Sequence, residues 1–132
     1  MSEQQPVRVK HVMTSNFQLV DGLMTVDQAI RLMKDNGSRL LIIDKRHDND
    51  EYGIVLLSDI ARDVLSADRA PERVNVYEVM SKPAVGVDPE MDIRYCARLF
   101  QRLGFSYAPV IDNGKVLGIV GYTDLVLQGL TK

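Results

Sequence analysis

Residues 108–125 read APVIDNGKVLGIVGYTDL, two apolar runs separated by Asp112-Asn113-Gly114-Lys115 and closed by Thr123-Asp124. Asn-Gly tolerates the positive φ that a tight turn between twisted strands requires, so the stretch predicts a hairpin of Tyr107–Ile111 with the GIV strand. A closing helix, Asp124–Leu130, is expected immediately after it. A strand that runs straight into a helix creates a crevice at its C-terminal end, lined by the first free N–H groups of the helix.

The arrangement occurs twice. GIVGYTD at 118–124 has a counterpart in GIVLLSD at 53–59, and APVID at 108–112 has one in LLIID at 40–44. Upstream, VRVKHVMT at 7–14 is answered by VNVYEVMS at 74–81, a spacing of 67 residues. Between these landmarks Val20-Asp21 matches Val87-Asp88, Met24 matches Met91, and Arg31-Leu32 matches Arg98-Leu99. Such collinearity marks a duplicated unit. We place the first repeat at residues 7–66, a polar connector at 67–73, and the second repeat at 74–131.

Each repeat predicts a short Met-ended turn, an extended piece (Phe17–Val20 or Ala84–Val87), a helix, two strands and a closing helix. Thr25 with Gln28 forms a capping-box pattern at the first long helix, and Asp92 caps the second. Val26, Ala29, Ile30 and Met33 fall on one helical face, and Ile93, Cys96, Ala97 and Phe100 repeat that stripe. The fold class is therefore α+β, two βαββα repeats packed through their sheets with pseudo-two-fold symmetry. A half of this size would be marginal alone, so the repeats are expected to share an interface.

Composition excludes several functions. The chain has 132 residues, 45% hydrophobic and 26% charged, with a formal net charge of −2. That charge supplies no basic footprint for nucleic acid. No apolar run approaches the roughly 20 residues of a membrane helix, and MSEQQPVRVK is unlike a signal peptide. A cytoplasmic location is expected. The single cysteine, Cys96, reads as packing. His11 and His47 stand in no repeat-equivalent motif with a nucleophile or paired acid, so no catalytic residues are expected. The loop KRHDNDEY at 45–52 carries His47, Asp48, Asp50 and Glu51 but reads as a solvated hairpin tip, not a metal site.

At the two strand-to-helix junctions, Ser58 and Thr123 are expected at the N-cap, with Asp59 and Asp124 one residue inside. Capping alone would account for both pairs, because the hydroxyl satisfies an N–H and the carboxylate suits the positive end of the helix. Capping is the stronger reading of the motif alone, yet an exposed carboxylate there can instead accept two hydrogen bonds from a ribose diol. Both readings stand at this point.

The repeated order of Met-ended turn, extended piece, helix, PVID-type strand and GIVxxxD junction resembles a tandem pair of CBS domains, the cystathionine-β-synthase-type (Bateman) module. The resemblance implies clefts that take adenosine-containing ligands such as AMP, ADP, ATP or S-adenosylmethionine, and a regulatory role. It requires no cofactor. Carried over by position, Asp59 and Asp124 match the ribose-binding acid, and Ser58 and Thr123 match the hydroxyl before it. Arg39 falls where a basic residue often lies near phosphate, with Tyr107 at the equivalent place. Ser15, Asn16 and Phe17, and likewise Lys82, Pro83 and Ala84, match the stretch that lines the adenine pocket, and Lys82 is a candidate phosphate contact.

The departures are Leu56 and Gly121 where the family usually has a phosphate-contacting hydroxyl, and Leu41 where the second repeat has Pro109. Gly121 is expected to open space and offer its N–H, which favours the cleft of Asp124, Thr123 and Gly121. A non-catalytic sensor acting on a separate effector protein, most simply as a homodimer, is the leading reading. A ligand-independent scaffold dimer is the alternative.

Overall fold

The computed structural model describes residues 5–131. The chain divides into two compact units, one formed by Phe17–Ala84, the other by the chain up to Asn16 together with everything from Val85 onward. Each unit thus combines the helix and strands of one repeat with the Met-ended turn of the other.

In the Phe17–Ala84 unit, β1 (Leu19–Val20) pairs in parallel with β2 (Leu40–Ile43), which pairs antiparallel with β3 (Gly53–Leu56). The crossover from β1 to β2 is α2 (Val26–Asn36), preceded in the chain by the short α1 (Val9–Val12) of the other unit. The capping box at α2 forms as its sequence predicts. Gln28 N donates to Thr25 Oγ1 at 3.1 Å, and Thr25 N donates to Gln28 Oε1 at 3.0 Å. Val26, Ala29 and Met33 are buried against Leu41, Ile43 and Val55. The turn Val76–Glu78 closes this core, fixed by Val26 N to Val74 O (2.7 Å) and Val76 N to Met24 O (2.8 Å).

The other unit repeats this plan. Val9 N donates to Met91 O at 2.8 Å and Ile93 N donates to Val7 O at 3.0 Å, which docks α1 beside α4 (Ile93–Leu103). Val9, Val12, Ile93, Cys96 and Phe100 are buried with Ala108, Val110 and Val120. Burial pushes the Cys96 thiol up to about 11, consistent with a packing role. Asp92 caps α4 by accepting from Arg94 N at 2.8 Å, and the Arg94 guanidinium at 2.7 Å holds its carboxyl down to about 2.

The antiparallel pair β4 (Tyr107–Asp112) and β5 (Lys115–Gly121) turns at Asn113 and Gly114, both with positive φ (51° and 75°), the turn that Asn-Gly predicts. The extended piece expected at Ala84–Val87 contributes only a single parallel bridge, Val87 to Val110, so this sheet has two named strands where the other has three.

Candidate functional site: the two strand-to-helix junctions

β3 and β5 each end by turning directly into a helix. The helix starts differ from expectation. α3 (Leu57–Ile60) begins with Leu56 in extended conformation as its N-cap, and Asp59 is its third residue. Thr123 is itself helical, and neither hydroxyl accepts a capping bond. Ser58 and Thr123 are therefore not the caps; both are exposed on the helix surface. The aspartates serve instead. Asp59 Oδ2 accepts from Leu56 N at 2.8 Å, and Asp124 Oδ2 accepts from Gly121 N at 2.8 Å. Each carboxylate reaches back three residues, as the acid of a capping box does.

The second oxygen separates the two sites. Asp124 Oδ1 accepts from the Thr14 hydroxyl at 3.1 Å, and the residue is half-buried. Asp59 Oδ1 accepts from Arg62 Nη2 at 3.2 Å, and Asp59 is only 6% exposed. Arg62 also binds Asp63 through Nε at 2.9 Å, a contact that depresses the Asp63 carboxyl. At the position equivalent to Arg62 the second repeat has Leu127, so Asp124 meets no such cover.

Thr14 arrives beside Asp124 because the Met-ended turn runs antiparallel to β5. Thr14 N donates to Ile119 O at 2.9 Å and Ile119 N donates to Thr14 O at 3.0 Å. Gly118 permits this, since a Cβ there would stand 2.6 Å from the Thr14 carbonyl. The close approach expected of the motif glycine is thus made by the chain's own backbone. Ser81 pairs with Ile54 in the same way beside β3.

This pairing sorts the candidate residues. Ser15 and Asn16, both exposed, belong with Asp124, whereas Phe17 begins the other unit. Lys82, Pro83 and Ala84 belong with Asp59, and the Lys82-Pro83 bond is cis. Lys82 Nζ lies 2.7 Å from Asp50 Oδ1, a contact that the reading of Lys82 as a phosphate ligand did not foresee. The 45–52 loop is consequently more than a solvated tip, for the Asp50 side chain is 8% exposed. Lys82 foremost, then Arg46, holds its carboxyl well below the usual range.

Gly121 does not open space. The Tyr107 ring, directly opposite on β4, lies 2.6 Å from where a Cβ would be, and the Gly121 N–H is committed to Asp124. Pro109 is buried within β4, and Arg39 is exposed with its carbonyl accepting from Leu57 N at 3.1 Å. Thr14 and Arg62 were missed as site residues. The signal for Thr14 lay in the echo of HVMT by EVMS, which marks a hydroxyl at the end of each turn.

The CBS-domain family model matches residues 9–66 and 76–128. The chain belongs to the CBS-domain family. Among solved structures, the hexameric CBS-CP12 protein from bloom-forming cyanobacteria is 38% identical, with a TM-score of 0.92 over 95% of this chain and 69% of that one. A CBS-domain pair in complex with 5′-methylthioadenosine and S-adenosyl-L-methionine has a TM-score of 0.80 at 19% identity, over 93% of this chain and 99% of that one, and so shares the fold. An uncharacterized protein of Methanopyrus kandleri is 28% identical over 71% of this chain. The chain spans 48% of that relative's length, and 23% and 43% of two further curated relatives. Among the described residues of this CBS pair, no helix is long and apolar enough to cross a membrane, and no acidic, His or Cys group is arranged to hold a metal ion.

Proposed function

We propose that this CBS pair is a non-catalytic regulatory module that binds an adenosine-containing ligand at Asp124 and thereby modulates a separate partner protein. The observation that carries the reading is the half-buried Asp124 carboxylate, preceded by the exposed Thr123 and bonded by Thr14, from which the chain continues into the exposed Ser15 and Asn16. Each carboxylate oxygen has two acceptor positions, and the Gly121 N–H and the Thr14 hydroxyl take one apiece. One position per oxygen remains, which matches the two donors of a ribose diol. The complex of a CBS pair of the same fold with 5′-methylthioadenosine and S-adenosylmethionine supports this ligand class. Regulation then requires that the ligand favour one partner-binding state over another, since equal affinity for both transmits nothing.

Calorimetric titration with AMP, ADP, ATP and S-adenosylmethionine tests the assignment. We expect at least one to bind, and Asp124→Ala to weaken it by about a hundredfold, the loss of two charge-assisted hydrogen bonds. Undiminished affinity in that variant sinks the site.

A ligand-independent homo-oligomeric scaffold is the second reading, favoured by the closure of Asp59 under Arg62. Leu127 (56% exposed) and Leu130 (75%) near the closing turn offer apolar contact area. Self-association by light scattering, with no ligand shifting the melting transition, would select it.

A further inference from the structure

The β1–β3 sheet has two ends. At one, Leu40 faces Leu56 and the chain turns toward Asp59; at the other, Ile43 faces Gly53. The ends lie about 10 Å apart at the rise of a β-strand. A cavity of about 600 Å³ opens at the second end, away from Asp59. Its size falls within the range of roughly 300–1,000 Å³ that small ligands occupy.

Three cations from two separate segments line it: Lys45, Arg46 and Lys82. Two of them, Lys82 and Arg46, are held from behind by Asp50. Its Oδ1 binds Lys82 Nζ at 2.7 Å, and its Oδ2 accepts from Arg46 N at 2.9 Å and Arg46 Nε at 3.2 Å. Ala84 N donates to Tyr52 O at 2.7 Å, which pins the Lys82 segment to the 45–52 loop. Side chains already held lose less freedom when a ligand binds.

Two further carboxylates line the cavity, each accepting one backbone N–H. Asp21 accepts from Leu23 N at 2.7 Å and Asp44 accepts from Lys45 N at 2.8 Å. Arg46 spends only Nε on Asp50, so its terminal nitrogens keep donors for an oxyanion. Lys45 Nζ stands 4.9 Å from the Tyr52 ring centre, with no ion pair among the described residues. Around the same cavity Leu19 (45%), Leu23 (72%) and Tyr77 (50%) are large apolar side chains left exposed.

We propose that this cavity is a second ligand site, taking a phosphorylated organic molecule whose anionic group meets Lys45, Arg46 and Lys82 and whose ring or acyl body lies on Leu19, Leu23 and Tyr77. The site is separate from Asp124 and stands on different residues.

¹H–¹⁵N spectra of the full chain, titrated with AMP, adenosine and inorganic phosphate, test it. AMP is expected to move the amides of Gly22, Leu23, Lys45 and Arg46. Adenosine and phosphate alone should each bind there at least about tenfold more weakly. Lys45→Glu should weaken AMP at these amides by about tenfold or more, with Lys45→Gln as the milder replacement should the first variant lose its native spectrum. In Asp124→Ala the same amides still move while those from Gly121 to Leu125 fall silent. Stationary amides around Gly22 at millimolar AMP, or equal titration in wild type and Lys45 variants, overturn the second site. Phosphate binding as tightly as AMP overturns its organic component. Shifts confined to Gly121–Leu125 overturn this proposal and leave the Asp124 reading standing, whereas shifts confined to the cavity do the reverse.

Discussion

The junctions Leu56–Asp59 and Gly121–Asp124 are the same local structure with different cover over the acid: Asp59 is buried and Asp124 half-buried. Both aspartates hold the backbone N–H three residues before them at 2.8 Å. One turn further along, Arg62 covers the first carboxylate and Leu127 leaves the second uncovered. Across the sheets, Leu56 faces Leu40, whereas Gly121 faces the Tyr107 ring. A capping role and a binding role therefore need not compete for the motif as a whole. One copy can be spent on stability while the other keeps free acceptor positions.

The largest test of the difference is Gly121→Val. Its side chain would begin 2.6 Å from the Tyr107 ring and 3.2 Å from the Ser106 carbonyl, so urea unfolding should show a loss of about 2–3 kcal/mol. Leu56→Val, at the equivalent position, should cost less than about 1.5 kcal/mol. Equal losses would break the comparison at its steric root.

Next, Asp59→Ala should cost about 2 kcal/mol and Asp124→Ala about 1 kcal/mol, because the Asp59 carboxylate is buried and the Asp124 carboxylate only partly so, and losing the more buried hydrogen-bonding side chain costs more. Chemical denaturation of the two variants measures the gap, and a reversed order would undo the assignment of Asp59 to stability.

Asp92→Ala removes the cap of α4 in the Asp124 unit and should cost about 1 kcal/mol near neutral pH. Arg94 lowers the folded carboxyl from the usual 3.8 to about 2, so this stabilisation is complete above the unfolded value and disappears as pH falls through that interval. Wild type and variant should converge in acid. Parallel pH profiles would show that the Arg94 contact is not what the cap depends on.

The smallest expected stability effect is Arg62→Leu, which copies Leu127 into the first repeat. An exposed ion pair of this kind contributes little, so stability should change by less than about 0.5 kcal/mol. Its value lies in binding: if Arg62 is what closes Asp59, titration of this variant should show a weak additional event absent from wild type.

The duplication, both long helices with their caps, and the Asn113-Gly114 turn were legible in the chain, because each rests on spacing, periodicity or local backbone preference. The aspartates were legible as a repeated pair. Their exact helical position was not, since Ser58 and Thr123 are better caps by propensity, yet Leu56 and Gly121 remain the last extended residues before the turn into helix. Arg62 was readable in retrospect as one turn beyond Asp59, but only geometry shows which of Asp59 and Asp63 it serves; it serves both.

The sequence by itself determined that this is a doubled α+β chain with an acid at each strand-to-helix junction, for those features depend on order and local chemistry. Only the tertiary structure decided which Met-ended turn lies beside which acid. Thr14 meets Asp124, 110 residues away, through backbone pairing with Ile119. Repetition makes the two turns interchangeable as patterns, so the choice between them falls to packing: Val9 and Val12 are buried in one core, Val76 and Val79 in the other.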